Sequence, residues 1–77
     1  MNKERRKTLD KALALMEEAR MLVEEATAEE QDAFDSLSEG FQQSERGEAM
    51  EEAIQYLDSA LSEIESAMDS IGSAKGE

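Results

Sequence analysis

The sequence predicts an all-α fold: an antiparallel two-helix hairpin with alanine-rich heptads, associating with a second copy as a four-helix bundle. Three observations carry that expectation. Proline is absent from the 77 residues and glycine stands only at 40, 47, 72 and 76, so little interrupts a helix. Large apolar residues and alanines recur every seven positions in two separate stretches. The apolar stripe in each stretch is also wider than one helix–helix seam requires.

The first helix is expected over about 3–36. Leu9, Met16, Val23 and Leu37 recur at position a of the heptad, with Glu30 breaking the series, and Ala12, Ala19, Ala26 and Ala33 follow at d. Leu15 and Leu22 flank this stripe at g, and Leu13 and Phe34 at e. Thr27-Ala28-Glu29-Glu30 fits a capping box, but the alanine series runs through it and favours an uninterrupted helix. The connection is expected over about 37–43, with Gly40 ending or relaying it.

The second helix is expected over about 44–71. Ser44 is a fitting N-cap, and Glu45 and Glu48 add negative charge to the first turn, where the helix dipole favours it. Met50, Leu57, Ile64 and Ile71 occupy a, while Ala53, Ala60, Ala67 and Ala74 occupy d. Ile54, Leu61 and Met68 fill the e column, and Tyr56 stands at g. Gly72 is expected to end the helix as its C-prime residue and leave a frayed tail over 72–77. At about 1.5 Å per residue, helices of these lengths span about 50 and 42 Å and match as a hairpin.

Residues 1–77 thus make one helical-hairpin domain. Its expected core and oligomer interface comprises Leu9, Ala12, Leu13, Met16, Ala19, Val23, Ala26, Ala33, Met50, Ala53, Ile54, Leu57, Ala60, Leu61, Ile64, Ala67, Met68 and Ile71. Small residues at d let two backbones approach closely, and large residues at a fill the alternate layers. One small core leaves little margin of stability. The flanking apolar columns need a further neighbour, and a homodimer supplies it.

Composition excludes much chemistry. Histidine and cysteine are absent, which removes the Ser-His and Cys-His nucleophile systems, thiolate and imidazole metal sites, and disulfides. No Asp-x-Asp-x-Asp-Gly loop is present, and paired carboxylates such as Glu24 and Glu25 point around a helix rather than into a pocket. The expectation is therefore no enzyme activity, no cofactor and no metal. No stretch approaches the 18 or more apolar residues of a membrane span, and no export segment is recognised, so a cytoplasmic location is expected.

Twenty acidic against eight basic residues give a formal charge of -12. Residues 1–11 hold five basic and two acidic groups, for +3, and the remainder carries -15. The net acidity argues against general nucleic-acid or anionic-membrane binding. It suits an unknown, basic protein partner, since a strong single-sign field steers such association.

The candidate partner contacts are Phe41 and Arg46 in and beside the connection, and Glu17, Glu24, Glu25, Glu51 and Asp58 in acidic rows. Each has an ordinary structural reading. Arg46 is expected to pair with Asp32, Asp35 or Glu39 while Phe41 packs under the turn, and the carboxylate rows form a solvated exterior. Gly47, in the first turn of the second helix, weakens that turn by about 1 kcal/mol against alanine, and close backbone approach is one explanation. Lys3, Arg5, Arg6, Lys7 and Lys11 oppose their own helix dipole and are expected to lie against acidic surface such as Glu65 and Asp69.

Two segments carry a resemblance. Ala26-Thr27-Ala28-Glu29-Glu30-Gln31-Asp32-Ala33-Phe34-Asp35 is followed by Ser44-Glu45-Arg46-Gly47-Glu48-Ala49-Met50-Glu51-Glu52-Ala53-Ile54. Together they resemble short acidic helical proteins of bacteria, bacteriophages and prophages, mostly of unassigned function. The Ser-Glu-Arg-Gly run is the most specific piece. Those proteins carry proline and leucine in the connection where Ser38 and Phe41 stand here. The resemblance implies a phage or prophage setting and supplies no catalytic residue.

The expected function is that of a non-enzymatic small helical protein acting through a protein–protein surface. The alternative is an acidic nucleic-acid mimic that inhibits a host DNA- or RNA-handling protein. A third reading is RNA binding through the basic N-terminal ends, which lack interleaved aromatics.

Overall fold

A computed structural model of the chain describes residues 1–76. It is all-helical, with no strand among those residues, and consists of an elongated pair of long helices. α1 spans Lys3–Asp35, a short α2 spans Glu39–Gln42, and α3 spans Glu45–Lys75. α1 and α3 lie side by side in a rod of 58 × 15 × 13 Å. They run antiparallel: Asp10 near the start of α1 pairs with Lys75 at the end of α3.

Each helix start has a polar cap that satisfies an otherwise unpaired amide. Asn2 Oδ1 accepts from Arg5 N at 2.8 Å, Ser38 Oγ from Phe41 N at 3.4 Å, and Ser44 Oγ from Gly47 N at 3.3 Å. Ser44 also donates its hydroxyl to Phe41 O, so one side chain closes α2 and opens α3. At the end of α1, Gln42 Nε2 donates to Phe34 O at 3.1 Å and covers a terminal carbonyl. Thr27 lies inside an unbroken helix, its hydroxyl donating to Val23 O at 2.7 Å rather than capping a new start.

The boundaries differ from expectation in two places. The connection contains a helical turn, α2, because Ser38 supplies a cap that starts it. The second helix continues through Gly72 to Lys75, so residues 72–75 are helical and not a frayed tail; Glu77, the last residue of that expected tail, lies outside the described residues. Gly72 cannot be a left-handed C-prime residue, since no glycine among the described residues has a positive φ. Gly76 is the C-cap, its N–H shared between the carbonyls of Gly72 and Ser73, at 3.2 Å from each.

The seam between the helices also departs from the expected a/d pairing. On α1 the partly covered side chains mostly follow a and e: Leu9, Leu13, Met16, Arg20, Val23, Thr27, Glu30 and Phe34, with Ala12 at d and Glu17 at b half-buried beside them. Ala19, Ala26 and Ala33 are exposed. On α3 the same two columns lead, with Met50, Ile54, Leu57, Leu61, Ile64, Met68 and Ile71, while Ala53, Ala60 and Ala67 are only half-buried at the edge. The physical reason is side-chain size. The e columns hold Leu13, Phe34, Ile54, Leu61 and Met68, and covering these removes more apolar area from water than covering alanine. The helices are therefore rotated to face each other through e, which turns Ala19, Ala26 and Ala33 outward while Ala12 stays half-buried.

Among the described residues, Ile54, at 9% exposure, is the single buried large apolar side chain. Gly47 is buried as well, beneath the connection. A Cβ at Gly47 would stand 2.5 Å from Phe41 O and Gln42 C, and closer still to Gln42 O. This is the close backbone approach that its place in a helical turn suggested: α2 and the turn after it fold back directly onto the first turn of α3.

Candidate interaction surfaces

Helical handedness decides what the rod presents sideways. With a/e facing inward on two antiparallel helices, positions d and g of both fall on one broad side, and position b of both falls on the other. Contacts at the rod's ends and middle agree. Arg5 and Ala74, both d residues, line one shallow depression with Met1 and Ser73. Arg20, in the seam, feels the charge of Glu65, a b residue of α3.

The d/g side is apolar along its middle. Leu15 and Leu22 are 59% and 60% exposed on α1, with Ala19 and Ala26 between and beyond them; on α3, Tyr56 is exposed and lines an open depression with Glu48, Glu51 and Glu52. The four α1 residues follow the spacing i, i+4, i+7, i+11 that makes a straight stripe on a helix. A contiguous exposed apolar stripe is a candidate interaction face; Met21, 58% exposed, stands apart from it at position f.

The b side is acidic. Glu17 and Glu24 on α1, and Glu51, Asp58 and Glu65 on α3, occupy it. Its charge is partly neutralised: Arg20 Nε donates to Glu17 Oε2 at 3.1 Å, and the same guanidinium pairs with Glu24. Hydrogen bonding from Arg20 holds the Glu17 carboxyl below the usual carboxylate range, partial desolvation opposes this, and the guanidinium's charge reinforces it. Glu25 is exposed on the neighbouring row, away from both helix–helix edges. Among the described residues, no three carboxylates converge as metal ligands would.

The connection end differs from expectation. Phe41 does not pack under the turn; it is 65% exposed. Arg46 makes no ion pair among the described residues, with Asp32, Asp35 or Glu39 or any other acid. Phe41 and Arg46 instead line one open depression together with Leu37, Ser44 and Glu45. The reason lies in α2: the turn capped by Ser38 places Gln42, not Phe41, against the end of α1. At the other end, Lys3, Arg5, Arg6, Lys7 and Lys11 form no ion pair among the described residues, and Asp10 takes Lys75 rather than a residue of the basic run. The N-terminal cations remain available to solvent or to another chain.

Sequence reasoning did not find the caps at Asn2 and Ser38 or the contact from Gln42 to α1. The first two had a usable signal, a small polar residue directly before a helical run. Gln42 had none, since its partner is set by the path of the connection.

Compared with known proteins, the chain matches no family model, no curated protein and no solved structure. No helix of the described residues is long and apolar enough to cross a membrane.

Proposed function

We propose that the chain is a non-enzymatic, self-associating helical protein. In this reading the helix pair is a hairpin, two hairpins form a homodimeric four-helix bundle, and the bundle's polar exterior meets a further protein. One observation carries it: Leu15 and Leu22 stand exposed in one stripe of α1, in a rod in which Ile54 is the single buried large apolar residue among those described. A chain with so small a core gains most by covering that stripe. The resemblance of the central segments adds a phage or prophage setting, in the cytoplasm of a bacterial host. Sedimentation equilibrium tests the reading. At micromolar concentration the mass is expected at twice the 8.5 kDa of one chain; a folded monomer there would overturn it.

A second reading has support from the b side. Glu17, Glu24, Glu51, Asp58 and Glu65 share one face, as an acidic surface mimicking nucleic acid would require. Arg20 weighs against it by neutralising part of that face. Mimicry predicts that a basic host protein captured by the chain is released steeply as salt rises, because the contacts are charge pairs. Capture that survives high salt would exclude it.

A further inference from the structure

The rod is an electrostatic dipole, and its polarity governs how two copies can meet. At one end, residues 1–11 hold five basic and two acidic side chains, and the last turns of α3 beside them add Asp69 and Lys75, which cancel. Residues 25–52, which run down to the connection and back, hold ten acidic side chains against Arg46 alone. The two regions are separated along a 58 Å rod, and the ion pairs within the chain do not cancel the contrast, because none of the N-terminal cations from Lys3 to Lys11 takes part in one among the described residues.

The geometry points to a second copy of this chain seated antiparallel on the Leu15–Leu22 side, with the basic end of each rod over the acidic connection end of the other. This rests on the self-association proposed above and adds the face and the polarity. The area is sufficient. A stable dimer buries about 800 Å² per partner, roughly one seventh of the 5709 Å² that the chain exposes, and one broad side of the rod provides it. The exposed alanines beside Leu15 and Leu22 let the second rod come close. A two-fold axis perpendicular to the rods makes the contact isologous, so the same patch serves both copies and the assembly closes at two. Charge chooses between the two ways of laying the rods. Parallel seating lays two strongly acidic ends side by side across the 13–15 Å thickness of the rods, a separation over which salt weakens their repulsion without abolishing it. Antiparallel seating replaces both like-charge contacts with attractive ones.

The chain has no cysteine, so a single introduced cysteine carries a spin label cleanly. Gln43→Cys places the label at the exposed connection end, and Ser73→Cys places it on an exposed residue at the other end. Antiparallel seating predicts like-label distances on the order of 50 Å for either variant, given the helix rise per residue, and a short distance when the two labelled chains are mixed. Like-label distances below about 25 Å, the width of adjacent helices, would establish parallel seating and overturn the proposal while leaving self-association intact. An absence of any inter-chain distance, with a monomer mass by sedimentation, would overturn both.

Discussion

Gly47→Ala is expected to destabilise the protein by about 1–3 kcal/mol, although helix propensity alone favours alanine at that position by about 1 kcal/mol. The sign is reversed by the connection. The added methyl would meet the backbone of Phe41 and Gln42 at or below 2.5 Å, and backbone cannot step aside as a flexible side chain can. Relief requires α2 to lift from α3, which strains the cap that Ser44 makes to Gly47 N and its bond to Phe41 O, and withdraws Gln42 from the end of α1. Gly72 is the internal control. It is also helical, but exposed, and a methyl there would find nothing within 4 Å, so Gly72→Ala should stabilise by about 1 kcal/mol. Urea denaturation followed by circular dichroism reads both. A Gly47→Ala midpoint at or above that of the parent chain would show that the connection does not press on the first turn of α3.

The two glycines show what the sequence can and cannot reveal. Helix existence was readable because the heptad series of Leu9, Met16 and Val23, and of Met50, Leu57, Ile64 and Ile71, is local information. The Ser44 cap was readable for the same reason. Which columns face inward was not, because a, d and e are each mostly apolar, with Arg20, Thr27 and Glu30 interrupting a and e on α1, and the choice depends on the summed size of side chains on both helices. Gly72 looked like a stop signal only because glycine often is one; here the carbonyls of the last turn are satisfied further on, by Gly76. The exposure of Phe41 followed from a turn nucleated three residues earlier by Ser38, a detail of the connection's path.

Rotation of the seam toward e leaves the Leu15–Leu22 stripe outward, and the proposed association rests on it. In a lone chain, Leu15→Ala with Leu22→Ala is expected to be nearly neutral, since both leucines are more than half exposed and alanine is the better helix former. In an assembly that covers this side, the same pair removes four partly buried leucines per dimer. At about 1 kcal/mol each that is about 4 kcal/mol, close to a thousandfold in Kd. A fold effect and an assembly effect therefore separate cleanly: helicity at high concentration should persist while association fails.

Sedimentation equilibrium of the parent chain beside the Leu15→Ala, Leu22→Ala variant tests the central claim most directly. The stripe as an association face predicts a dimer for the parent at micromolar concentration and a monomer for the variant, whose helical spectrum is retained. A variant that dimerises as tightly as the parent would contradict it.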